Sequence, residues 1–362
     1  MNTSMTRETS EHTALSGSSP GSRTVIPGTD WSGFSPNGRT VILGTDWSGS
    51  SPNSRTVILG TDWSGSSPGS RTVILGTDWW TDCDDAAAIR IACRADKLNL
   101  WHLAGMICNA CMPDSAPSLN GFLTAEGYGE LPLGIDREAT DYGRNPPYQK
   151  ILAESLPHSV TANEDLPDGL ELYLRLLAES DEKRVEILEI GYPQVLAALC
   201  EHPDGYRFLA EKVSCLWMMA GNWEKDGVGV ENNFARAPRS RKAAAYLLEH
   251  CPCPIVFLGW EAGASVISGK PETIPDPADP LRMAFIAHGS INGRSSWDPM
   301  LVLLALTNDF EKAGYTIRRG YASVDPETGE NRFRYAEDGP HAYVVKTMPD
   351  SWYEEQLADW LK

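Results

Sequence analysis

Eight consecutive residues carry the densest chemistry in the chain: Asp78-Trp79-Trp80-Thr81-Asp82-Cys83-Asp84-Asp85. Four Asp in eight residues repel one another, and packing them together without a cation raises their pKa values. A hard divalent ion such as Ca²⁺, which takes carboxylate and carbonyl oxygens, removes that cost. A structural reading accounts for part of the cluster: Asp84 and Asp85 suit the first turn of a helix, where the N-terminal dipole favours negative charge. It leaves Asp78 and Asp82 unexplained. Further polar groups recur downstream at Asn109, Asn222, Glu231-Asn232-Asn233 and Ser296-Trp297-Asp298-Pro299. Each has an ordinary role available, such as a loop cap, a solvated charge or a helix start. Together they suit a metal site ringed by amides that bind hydroxyl groups.

These residues fall where strands are expected to end. TVILGTD before Asp78 reads as a buried parallel strand, and Asp84 to Ala95 as a helix with Ala88, Ile91, Ala92 and Ala95 on one face. LWHLAGMIC, VEILEIG, VSCLWMMAG and PIVFLGW read as further strands. Helical stretches follow: Ser115 to Glu126, PQVLAALCEH, SRKAAAYLLEH and EAGASVI. MLVLLAL reads as an apolar helix. YTIRRGYASVD, NRFRYAE and HAYVVKT read as short strands, and WYEEQLADWLK as a closing helix. Strands alternating with helices predict an α/β fold with a mostly parallel central sheet flanked by helices, Rossmann-like in plan. Such sheets bind ligands at the carboxyl ends of their strands.

Ahead of this domain, residues 1–70 hold a tandem repeat with a 16-residue period. RTVIPGTDWSGFSPNG starts at Arg23, and copies of RTVILGTDWSGSSPxS start at Arg39 and Arg55; Arg71 opens the unit that continues into the domain. Each unit carries too few apolar residues for a core of its own. Residues 1–70 are therefore expected to be a flexible extension, and 71–362 one catalytic domain. The alternative is that one TVIL copy adds an edge strand. Asp30, Asp46 and Asp62 in the early copies lack the following Asp-rich run and are expected to bind no metal.

Composition narrows the partners. The net charge is −18, from 49 acidic and 31 basic residues, which disfavours nucleic acid and anionic membranes. No apolar run approaches the roughly 18 residues of a membrane span. The N-terminal sequence has no apolar leader, and eight Cys in 362 residues are not a disulfide framework. Buried thiols in a reducing, cytoplasmic setting are expected. Cys108 and Cys111 make a CxxC without a second pair.

The motifs resemble the inosine–uridine preferring nucleoside hydrolases, calcium-dependent N-ribohydrolases that open on D-x-D-P-G-x-D-D-A or on D-T-D-I-G-T-D-x-D-D-A-x-A-L. The likeness runs through VILGTDWWTDCDDAAAI, LAGMICN, GYPQVLAAL, MMAGNW, ENNFARAPRSRKAAAYLLEHCPCPIVFLGW and SSWDPMLVLLAL. It implies hydrolysis of the N-glycosidic bond of a ribonucleoside to ribose and free base. Two registers fit the first motif. Anchored on Asp84-Asp85, Trp80 takes the place of the family's base. Anchored on the strand, Asp78 takes it, Gly76 takes the place of the family's first Asp, and the loop gains two residues. The strand anchor is preferred, because strand register is set by its buried face whereas loops absorb insertions.

On that register the resemblance implies Asp78 as catalytic base and calcium ligand, acting on a Ca²⁺-bound water. Asp85, Asp298 and the main-chain carbonyl of Gln194 complete the metal set. Asp84, Asn109, Asn222, Glu231 and Asn233 are implied at the ribose hydroxyls and 5′ end. Trp297 stands where purine-active members often have a His that protonates the leaving base; an indole can stack on a base but cannot serve as an acid. His158 is the candidate to substitute. The implied ligand is a small nucleoside, with a possible homo-oligomer. Two other readings stay open: a non-catalytic relative that binds a ribosyl ligand or a protein partner, and a metal-dependent phosphatase, which the lack of a Gly-rich phosphate loop disfavours.

Overall fold

The computed structural model describes residues 71–181 and 183–362. The repeated extension, with both expectations for it, lies outside the described residues.

β1 (Thr72–Thr77) leads into α1 (Asp84–Lys97), and β2 (His102–Cys108) into α2 (Ser115–Ala125). β3 (Leu133–Ile135) is followed by α3 (Pro147–Ser155) and α4 (Gly169–Glu179), and β4 (Val185–Glu189) by α5 (Gln194–Glu201) and α6 (Pro203–Lys212). After β5 (Val213–Met219) come β6 (Gly229–Val230), α7 (Asn232–Ala235) and α8 (Pro238–His250). After β7 (Ile255–Leu258) come α9 (Trp260–Gly263), β8 (Ile267–Ser268), α10 (Pro280–His288), β9 (Arg294–Ser295) and α11 (Trp297–Thr307). β10 (Tyr315–Val324), β11 (Glu330–Tyr335), β12 (His341–Lys346) and α12 (Asp350–Leu361) follow.

Ten strands form one sheet in the order β3-β2-β1-β4-β5-β7-β12-β10-β11-β6. Pairing is parallel from β3 to β12 and antiparallel from there to β6. β1 is apolar without alternation because helices cover both faces of the sheet. Val73 and Leu75 pack into the core shared with α1, α2, α11 and α12. Ile74, on the opposite face, joins the core of α4, α5, α6 and α8. The fold is thus α/β with a mostly parallel central sheet flanked by helices, as expected.

One expectation needs correcting. EAGASVI is helical only at its start: α9 ends at Gly263, and Ile267–Ser268 pair with Arg294–Ser295 instead. The Gly263 carbonyl accepts from Val266 N–H and Ser296 N–H, and Gly263 packs so closely on Trp297 that a Cβ would come within 2.5 Å of the indole. The three C-terminal segments read as strands are strands, β10, β11 and β12. β12 enters the main sheet between β7 and β10, because its HAYV run is buried and offers apolar groups to both faces. Among the described residues, no helix is long and apolar enough to cross a membrane.

The topology places the site. From β1 the chain steps outward to β2 and β3, then returns to β4 on the other side of β1. The direction of winding reverses between β1 and β4, and this opens a crevice at their carboxyl ends. The registers Thr77↔Cys108, Gly76↔Glu189 and Glu189↔Met218 bring those ends level.

Candidate metal and ribosyl site

Asp78 directly follows β1, and Asp84 and Asp85 open α1. Asp298 lies in the first turn of α11. The carboxylate oxygens of Asp84, Asp85 and Asp298 come within 4.8 Å of one another, and all three residues are buried. The N-terminal ends of α1 and α11 face each other across this group. Asp84 Oδ2 accepts from the backbone N–H groups of Trp297 (3.0 Å) and Asp298 (3.2 Å), so the first turn of one helix caps the other. Asp85 Oδ1 accepts from the Thr77 hydroxyl and from Trp79 N–H. Asp78 Oδ1 accepts from Trp80 N–H at 3.0 Å.

Electrostatics here are only partly compensated: at Asp84, burial and the neighbouring carboxylates outweigh the lowering pull of backbone donors and Arg294. Burial first, then Asp85, pushes the Asp78 carboxyl well above the usual range. Burial, then Asp82 and Asp85, does the same to Asp84, and burial with Asp84 and Asp85 to Asp298. Asp85 is pushed up to about 7 by burial, against the lowering pull of Thr77. Buried like charges that raise one another in this way favour an added cation. The three-carboxylate group therefore fits a metal ion, and its all-oxygen donors fit a hard one.

The loop between β1 and α1 is strained: Trp79 and Thr81 have φ of 47° and 39°. Its anchors explain how that conformation holds. The Trp79 indole is fully buried, donates to Ser118 Oγ at 2.7 Å and packs on Phe122 and Tyr148. Trp80 turns the other way, with Arg236 over its ring at 4.7 Å and its Nε1 on the Arg144 carbonyl. Asp78 rather than Trp80 is thereby left beside Asp85. Asp82, the extra carboxylate of the motif, forms a two-oxygen ion pair with Arg294 of β9. A second group, Asp82, Cys83 and His288, is also close enough to share an ion. Its only carboxylate is already committed to Arg294.

Of the expected ribose-binding residues, Asn109 sits at the end of β2 and is fully buried. Its Oδ1 accepts from Tyr192 N–H at 2.9 Å, and its carbonyl accepts from Gln194 Nε2 at 2.5 Å. Glu231 accepts from Gly221 N–H (3.0 Å) and Asn233 N–H (2.8 Å), and burial pushes its carboxyl up to about 7. Asn233 Nδ2 donates to the Met219 carbonyl at the end of β5, at 2.8 Å. Asn222 is half-buried, and its backbone is held at both N–H and C=O by Asn331. Gln194 opens α5, so its side chain reaches the end of β2 from the first helical turn. The Trp297 indole donates to the Trp260 carbonyl at 2.7 Å, and Arg294 lies 5.5 Å from its ring. His158 has both ring nitrogens at backbone carbonyls, Val160 at 2.8 Å and Ala153 at 3.0 Å, which commits it to its own segment.

Sequence reasoning missed Glu189, the last residue of β4, which is fully buried and contacts Asn109. Two acidic residues, Glu186 and Glu189, inside the strand-like run VEILEIG were the available signal. Tyr192 was also missed; it stacks on Tyr142 at 4.0 Å and walls the site beside Asn109.

No protein-family model matches the sequence, and no curated protein matches it. Solved structures do match in fold. The inosine-uridine preferring nucleoside hydrolase from Bacillus anthracis superposes with a TM-score of 0.56 at 17% identity, over 80% of this chain and 99% of the hydrolase. The type III effector protein XopQ, solved with adenosine diphosphate ribose, superposes with a TM-score of 0.56 at 14% identity, over 81% of this chain and 93% of the effector. The class defined is a nucleoside hydrolase-like fold with a buried carboxylate cluster at its strand ends.

Proposed function

We propose that this protein is a calcium-dependent hydrolase of the N-glycosidic bond of ribonucleosides. The observation that carries the reading is the convergence of Asp84, Asp85 and Asp298 at the switch point of the sheet, with Asp78 buried at the end of β1 within reach of their charge and no Lys or Arg hydrogen-bonded to any of the four among the described residues. Asp85 and Asp298 would hold the ion, with Asp78 and the Gln194 carbonyl as further oxygen donors; Asp84, expected at the ribose hydroxyls, lies close enough to the other two to share the ion. Bound there, Ca²⁺ supplies charge neutralisation and a more acidic water.

The chain's own groups do the rest. Asp78 takes the proton of the attacking water as oxygen adds to C1′ and the bond to the base breaks. Positive charge that develops on the ribose is stabilised by the surrounding carboxylates. Asn109, Asn222, Glu231 and Asn233 offer amide donors and carboxylate acceptors for the hydroxyl groups. Protonation of the departing base has no assigned donor, since the Trp297 indole is held on the Trp260 carbonyl. That observation supports the second reading, a protein that binds a ribosyl ligand without cleaving it.

The test is ribose release from inosine, uridine and a nitrophenyl riboside, with Ca²⁺ or chelator. A hydrolase without a general acid cuts the nitrophenyl riboside roughly 10²–10⁴-fold faster than inosine or uridine. Chelation and Asp78→Asn should each abolish release. Ligand binding without release from any of the three would establish the second reading instead.

A further inference from the structure

Glu189 has no role in the chemistry above, yet it sits at the centre of the crevice. Its Oε1 accepts from Asn109 Nδ2 at 2.7 Å and from Gly191 N–H at 3.0 Å. Its Oε2 is buried with no hydrogen-bond partner, an expensive arrangement for a carboxyl group. The carboxyl lies directly over Gly76 in the neighbouring β1. A Cβ at Gly76 would come within 2.2 Å of Oε2 and 2.7 Å of Oε1, so only glycine leaves room for it. Gly191 is constrained in turn: a Cβ there would lie 2.3 Å from Asp78 N and 2.5 Å from Asn109 Oδ1. Gly76, Glu189, Gly191, Asn109 and Asp78 therefore form one closely fitted unit across β1, β2 and β4.

Orientation follows from donor and acceptor types. A carboxyl oxygen at Oε1 accepts, so the Asn109 nitrogen must face Glu189 and its oxygen must face Tyr192 N–H. One N–H of the Asn109 amide is used by Glu189, and the other remains to offer.

We propose that Glu189 is the positioning residue of the ribosyl site: from β4, over Gly76, it fixes the Asn109 amide so that its second N–H is presented to a ligand hydroxyl, and it holds the Gly191 backbone against Asp78. The proposal rests on the ribosyl reading of the site given above.

The experiment measures ADP-ribose and inosine affinity by calorimetry on the full chain in Ca²⁺ buffer, with thermal melting of each variant. Glu189→Met fills the same volume without an acceptor and should weaken binding ten- to a hundredfold. Glu189→Gln keeps an acceptor at Oε1 and should stay within about threefold of wild type, a rescue that mere packing would not produce. Asn109→Ala combined with Glu189→Met should bind no worse than Asn109→Ala alone, because the second residue acts through the first. Gly76→Asp with Glu189→Ala returns a carboxylate to the same space from β1 and should recover most of the lost affinity. Unchanged affinity in Glu189→Met, or losses that multiply in the double variant, would overturn the positioning role alone. Failure of the wild-type protein to bind either ligand would overturn the ribosyl reading and this proposal with it.

Discussion

At the scale of single residues, the site is governed by the expense of burying carboxylates. Asp85 keeps a proton up to about 7, Glu189 up to about 8 and Glu231 up to about 7, all chiefly through burial. Groups whose folded pKa is raised above the unfolded value near 4 stabilise the fold at low pH. That contribution is lost as pH rises toward the folded value, because the folded state then binds more protons than the unfolded one. In chelator, the melting temperature should therefore fall between about pH 5 and pH 8. Calcium competes with those protons, so its stabilising effect should be small at pH 5 and large at pH 8. An excess of about 100 Kd corresponds to about 2.7 kcal/mol, several degrees for a domain of this size. Asp85→Asn and Asp298→Asn should each remove most of the calcium-dependent shift. A calcium shift independent of pH, or one kept by both variants, would rule out this cluster as the site.

At the scale of elements, the junction between β1 and α1 decides whether the cluster assembles. Two residues with positive φ must be held in place while Asp84 and Asp85 enter the first turn of α1. The Asp82–Arg294 pair ties this loop to β9, just before α11 delivers Asp298. Asp82→Ala should cost only about 1 kcal/mol of stability, because Arg294 is more than one-third exposed and solvent screens the pair. Its effect on turnover should be greater, at least about tenfold, since a misplaced loop moves Asp84 and Asp78 together. Equal, proportionate losses in melting temperature and rate would mean that the pair only stabilises the fold. This role for Asp82 was invisible in the linear sequence, because its partner is 212 positions away.

At the scale of the whole molecule, residues 71–362 are expected to fold without the repeated extension. Its first strand is anchored by Arg71, which binds Glu186 through Nε (2.6 Å) and Nη2 (2.7 Å) and reaches the carbonyls of Ala305 and Leu306. That network lies at the opposite end of β1 from the carboxylates and joins β1, β4 and α11. A chain starting at Arg71 retains every one of these contacts. Deletion of residues 1–70 should leave the melting temperature within about 2 °C and ribose release unchanged. A large loss of either would show that a repeat copy takes part in the fold.

Much of the architecture could be read from local pattern. The largely apolar runs TVILGT and VSCLWMM are strands buried on both faces, and that alone implies helices on both sides of the sheet. The Asp-rich junction after the first run marked the strand ends as the place to look. Local pattern fails where packing rather than periodicity chooses the conformation. The chain around Gly263 leaves its helix early and pairs with the distant segment Arg294–Ser295, with the Gly263 carbonyl taken by Ser296 N–H. Pairings between distant positions were out of reach altogether. Nothing in the linear order of residues says that Glu189 fills the space over Gly76, that Asp84 caps the helix of Asp298, or that Asp82 is held by Arg294. The amino-acid sequence by itself determined the α/β plan, through strand and helix periodicity, and the oxygen-rich chemistry at the strand ends. Only the tertiary structure decided which carboxylates meet and which are diverted into ion pairs, because burial and proximity depend on elements brought together from distant parts of the chain.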